Sequence, residues 1–220
     1  MEAMIHKAEE FVKVALGNDE TGHDYYHADR VRRLALQIAV NENKGNLFII
    51  EMAALLHDIP DEKLNADIEK ANNKLQSFLL SIPLTNNQRI LIKNIINKIS
   101  YRGGNEAKLT SFEEKAVRDA DRLDAIGAIG IARTFAYGGK KGQVIHDPDI
   151  VVRTKMTKEQ YRNEKSTTIN HFYEKLLKLK DQLHTNTAKK MAEERHRWME
   201  SFLVQFLKEW NGENSENINS

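Results

Sequence analysis

The stretch AALLHDIPDEK, residues 53–63, sets an apolar run directly against a His57-Asp58 doublet and a break at Pro60. Met52, Ala53, Ala54, Leu55 and Leu56 read as a buried helix, and a charge-capable pair at the end of such a helix is costly unless something compensates it. A metal ion is one such compensator. Working outward, His27 stands on a preceding amphipathic segment, four residues before Val31, on the face that carries Val31, Leu34 and Ile38. Asp121 stands on a later segment, in step with Val117 and Asp124, and an inward aspartate needs a partner. A lone histidine on an apolar face is more often a hydrogen-bonded core residue than a ligand. The doublet alters that balance, because an adjacent His and Asp at a helix end can both bend toward one point. Two imidazoles and two carboxylates suit a divalent ion, with positions left for water and substrate.

Nearly every apolar run has helical spacing, and only three prolines interrupt the chain. Ile5, Ala8, Phe11, Val12 and Ala15 predict a first helix, stopped near Gly17-Asn18. A second begins between His23 and His27 and ends before Gly45, and a third covers Phe48 to His57. A fourth, through Leu75, Phe78, Leu79 and Ile82, ends at Pro83, and Thr85 or Asn86 caps a fifth through Ile99. After the loop YRGGNEAKLT, Ser111 and Glu114 match a capping box opening the helix of Asp121, which is expected to run to Tyr137 and stop at Gly138-Gly139. Residues 138–166 are polar and read as a long irregular loop, long enough to be functional. Two helices, Thr168 to Leu183 and Thr187 to Trp210, close the chain. The expectation is all-α, a single helical bundle over residues 1–210 with a disordered polar tail at 211–220.

The 33 basic and 32 acidic side chains leave a net charge of +1, so no overall field argues for nucleic acid or a membrane. No basic recognition helix stands out, and nucleic acid is not an expected partner. The absence of cysteine excludes disulfides and thiolate metal sites. The start, MEAMIHKAEEFVKVAL, has no long apolar stretch of a secretory signal, and the expected location is cytoplasmic.

The ordered set His27, His57-Asp58, Asp121 resembles the signature of the HD-domain metal-dependent phosphohydrolases. The strings GHDYYHADRVRRLALQIA at 22–39 and DADRLDAIGAIGIARTFAYGG at 119–139, with LHDIPDEK, are similar to the YpgQ-like and YedJ-like branch. The resemblance implies that His27, His57, Asp58 and Asp121 hold the metal. Binuclear members draw extra histidines from the helices after the doublet. Here no histidine lies between Asp58 and His146, so one ion is expected. Manganese is favoured, while iron(II), cobalt, nickel and magnesium remain compatible with the donors. In resembling hydrolases an acid three positions after the doublet's Asp orients or deprotonates the water, which here is Asp61, with Glu62 as its substitute. The family string also places His23 near the site, as a brace or a proton donor, although with Asp24 it could equally cap its helix.

For a phosphate tail the candidates are Lys63, Arg102, Arg122, Arg133, Lys140 and Lys141. Asp124 is a candidate for a ribose hydroxyl, for bracing Arg122 and Arg133, or for a plain salt bridge to Arg118 or a lysine. Arg30, Arg32 and Arg33 read as a solvated face with at most one exception. GGKKG lacks the Walker A pattern. The resemblance implies a small-molecule nucleotide substrate, a triphosphate cleaved to monophosphate and pyrophosphate. The alternatives are a 5′-nucleotidase acting on monophosphates, and a non-catalytic nucleotide-binding module.

Overall fold

The structure, a computed structural model, describes residues 1–17, 19–62, 64–99, 107–153 and 165–213, and these form helices and turns without strands. Helix α1 (Glu2–Leu16) buries Ile5, Ala8, Val12 and Leu16. Helix α2 (Tyr25–Glu42) starts where the Asp24 side chain accepts from the His27 amide at 2.8 Å, and ends at Asn43 in the left-handed region. Its buried face carries His27, Ala28, Val31, Leu34, Ala35, Ile38 and Ala39.

Helix α3 (Leu47–Leu56) is capped by Asn46 and is buried along nearly its whole length. It is the centre of the molecule, touched by α1, α2, α5 (Asn86–Ile99) and α6 (Phe112–Asp124). Helix α4 (Ile68–Ser81) is capped by Asp67, and Ile82-Pro83 ends it in extended backbone. The cap of α5 is Thr85, whose Oγ accepts from the Gln88 amide while Gln88 reaches back to the Thr85 amide. The Ser111–Glu114 capping box opens α6 as expected.

Two predicted helices break. The helix expected to continue to Tyr137 ends at Asp124, and α7 (Gly127–Lys140) begins anew with Gly127 at its first position, whose φ of 76° a continuous helix could not carry in its interior. The helix expected over 168–183 is α8 (Thr168–Glu174) followed by two 3₁₀ turns, Leu176–Lys178 and Lys180–Gln182, since Lys175 leaves helical geometry. Asp119, fully buried on α6, then accepts from the amides of His184 and Thr185 and from the Thr185 hydroxyl. That clasp sets the start of α9 (Asn186–Trp210), which lies against α2, α6 and α7.

Of the irregular loop expected at 138–166, residues 138–140 belong instead to the end of α7, 141–153 and 165–166 are turns and irregular backbone, and 154–164 lie outside the described residues. The expected tail is described only to residue 213. One apolar core draws on residues from α1 through α9. No helix among the described residues is long and apolar enough to cross a membrane.

Candidate metal centre

The end of α3 turns both members of the doublet inward. His57 is the C-cap residue of α3, still with helical backbone, and Asp58 to Pro60 follow as a tight turn held by Ile59 N–H to Leu56 and Asp61 N–H to Asp58, both at 3.1 Å. The Asn65 amide group donates to the carbonyls of Ile59 and Asp61 and closes the turn from outside. Pro60 has no N–H to leave unsatisfied at this bend.

His27 from α2 and Asp121 from α6 meet the doublet there. His27 Nε2 lies 3.2 Å from Asp58 Oδ2, and His57 Nε2 lies 3.2 Å from Asp58 Oδ1. Both Nε2 atoms lie 3.6 Å from Asp121 Oδ1. His27, His57 and Asp58 are buried, whereas the Asp121 side chain is 26% exposed, so the centre opens to solvent on the Asp121 side.

The ring nitrogens decide whether this cluster fits an ion. His27 Nδ1 faces Asp124 Oδ2 at 2.7 Å, and His57 Nδ1 faces the Ala54 carbonyl at 2.8 Å. Both partners are acceptors, so both Nδ1 atoms carry the proton. Each Nε2 is left buried, without a well-formed hydrogen bond, aimed at the carboxylates. Ligands at about 2.1 Å from one ion stand about 3.0–3.4 Å from each other. The observed 3.2 and 3.6 Å spacings are close to that, and two lone pairs with two carboxylates form a matching donor set. The residues fit a divalent metal.

The electrostatics agree. Burial works against the His57 imidazolium, but Asp58 and Asp121 outweigh it and push its pKa up to about 10. Burial also opposes ionisation of Asp58 and Asp121, yet the neighbouring imidazoles hold both carboxyls well below the usual range. Such a concentration of negative charge is what a cation neutralises.

His23 adjoins the cluster, with Nδ1 3.0 Å from Asp58 Oδ2. Burial, more than the opposing pull of Asp58, lowers its pKa, and Arg133 adds to the lowering. Arg133 places Nη2 3.4 Å from the same His23 nitrogen and Nη1 2.8 Å from Asp124 Oδ2. Asp124 also takes a two-pronged contact from Arg30 at 2.7 and 3.0 Å. With His27 that places three donors on Oδ2 and one on Oδ1 of a carboxylate whose side chain is only 2% exposed, which fits bracing of His27, Arg30 and Arg133 rather than contact with a ribose hydroxyl.

The other expected residues are spread more widely. Asp61 is buried one turn after Asp58, and Glu62 is exposed. Arg122 is buried and donates to the Gln182 carbonyl, tying α6 to the C-terminal turns. Lys140 is exposed and pairs with Glu20, and Lys141 lies over the Tyr137 ring at 5.8 Å. Lys63 and Arg102 lie outside the described residues.

Arg30 and Arg32 both depart from the expected solvated face. Arg32 pairs with Glu9, Asp29 and Glu51. The pairing of Arg30 and His27 with Asp124 spans more than ninety residues, and no local spacing signals it.

Comparison with known proteins places the chain. The HD domain family model matches residues 24–126. YpgQ of Bacillus subtilis is 38% identical over 208 residues, covering 94% of this chain and 93% of that protein. A structure of YpgQ in complex with ADP superposes with a TM-score of 0.74 at 35% identity, over 94% of this chain and all (100%) of the other. A protein of Lactobacillus plantarum gives a TM-score of 0.87 at 41% identity, covering 96% of this chain and 99% of that one. An HD-superfamily hydrolase of Bacillus thuringiensis gives 0.73 at 46% identity, covering 96% and 98%. A chain with this match, this all-helical fold and His and Asp side chains able to hold a divalent metal belongs to the HD-domain hydrolases, in the branch of B. subtilis YpgQ.

Proposed function

We propose that the protein is a metal-dependent nucleotide phosphohydrolase that converts nucleoside triphosphates, deoxy forms included, to monophosphate and pyrophosphate. The observation that carries the hydrolytic part is the pair of buried, unpartnered Nε2 atoms facing Asp58 and Asp121. Its nucleotide part is supported by the ADP complex of B. subtilis YpgQ. A divalent ion held at this centre, manganese in our reading, would supply Lewis-acid polarisation of a phosphoryl oxygen and a more acidic water.

The chain's own residues do the rest. His27, His57, Asp58 and Asp121 would hold the ion, and His23 donates its Nδ1 proton to Asp58 and fixes that carboxylate. Asp61, buried one turn beyond, accepts the proton of the attacking water. The water oxygen bonds to the α-phosphorus, and the bond from that phosphorus to the α,β-bridging oxygen breaks. Arg133, beside His23, balances charge on the departing pyrophosphate, and Lys140 offers a second cation on exchanging Glu20 for phosphate. The choice of a polyphosphate substrate rests on the likeness to the YpgQ branch, since Arg133 and Arg122 are already engaged by Asp124 and the Gln182 carbonyl.

The test is a panel of ribo- and deoxynucleotides with manganese, cobalt, nickel, iron(II) and magnesium, scoring orthophosphate and pyrophosphate separately. Pyrophosphate from triphosphates supports the proposal. Orthophosphate from monophosphates, with triphosphates untouched, replaces it with a 5′-nucleotidase.

A further inference from the structure

Helix α6 delivers two carboxylates to one region, three residues apart and therefore on one face: Asp121, which faces the Nε2 atoms, and Asp124, which faces the opposite edge of the His27 ring. The Asp124 side chain is 2% exposed and lies 2.7 Å from His27 Nδ1. Arg30 and Arg133 neutralise it from two other directions, so it is a buried, ionised acceptor with no proton to give.

We infer that Asp124 is a positioning residue of the metal centre, holding His27 in the single tautomer and ring orientation that aims the Nε2 lone pair at the ion. This rests on the metal reading proposed above and goes beyond it by assigning a role to a residue that touches neither ion nor substrate. An imidazole without such a partner is free to move its proton to Nε2 or to turn the ring. Either change removes one of two nitrogen ligands from a centre whose other donors are carboxylates. Asp124 also keeps Arg133 next to His23, so the brace of the metal ligand and the cation at the site's edge share one carboxylate.

Two variants and one spectrum test the inference, and none of the readouts uses nucleotide turnover, so they stand apart from the substrate assignment. Manganese affinity is measured by competition with a chelating dye. Asp124→Asn should bind manganese about 10- to 100-fold more weakly than wild type. Arg30→Gln removes a neighbour of Asp124 that does not touch His27 and takes away a positive charge, so its affinity should equal or exceed wild type. Wild-type affinity in Asp124→Asn overturns the inference. So does an equal weakening in both variants, which would mean a loss of packing. Nitrogen-15 spectra of the zinc-loaded wild-type protein read the tautomer directly, even if Asp124→Asn does not fold. A proton on His27 Nδ1 is expected, and a proton on Nε2 contradicts the inference.

Discussion

His57 Nε2 lies 3.2 Å from Oδ1 of Asp58, its own neighbour in sequence. Side chains of adjacent helical residues diverge, and the approach occurs here where α3 has ended at Leu56 and residues 57–60 form a turn. The same closeness pushes the His57 pKa up to about 10, while the ordinary value is 6.5. A ligand nitrogen must lose its proton to bind a metal. Metal uptake at pH near 7.5 should therefore release about one proton per ion and tighten as pH rises toward the His57 pKa. Calorimetry in two buffers of different ionisation enthalpy measures the release, and zero proton release contradicts this account.

The sign for stability runs the other way. A raised folded-state pKa means that His57 stabilises the metal-free protein fully below about pH 6.5, and that this contribution fades as pH rises through about 10. Urea melts of metal-stripped protein should lose midpoint between those pH values, and His57→Gln should lose less. An identical pH slope in both proteins would count against the His57–Asp58–Asp121 coupling.

Asp61→Ala should keep the metal but lower turnover by about 10²-fold or more, as expected for loss of a general base. Glu62→Ala, at an exposed position, should change turnover little. Full activity in Asp61→Ala with loss in Glu62→Ala would move the base by one residue.

The quartet was legible in the chain because each member shows itself locally. His57-Asp58 ends an oily run, while His27 and Asp121 fall on the apolar stripe of their own helices. The break before α7 was not legible, since GAIGIARTFAY continues the helical period and a glycine at φ 76° looks the same in sequence as a helical one. The Asp119 clasp that starts α9, and the Asp124 junction with His27 and Arg30, depend on partners brought together by tertiary packing.

Gly127 itself gives a stability prediction. Alanine there would meet the positive φ, and its Cβ would come within 2.9 Å of Arg195 Cγ. Gly127→Ala should cost about 1–2 kcal/mol in urea denaturation. No loss would mean that the α6–α7 junction readily rearranges.

The central claim is that His27, His57, Asp58 and Asp121 together hold one divalent ion. The direct measurement is manganese stoichiometry, by elemental analysis after equilibration of metal-stripped wild type, His57→Ala and Asp58→Ala. The account predicts one ion per wild-type chain, and parallel loss of metal and hydrolytic activity in both variants. Wild-type stoichiometry and affinity in either variant would contradict it.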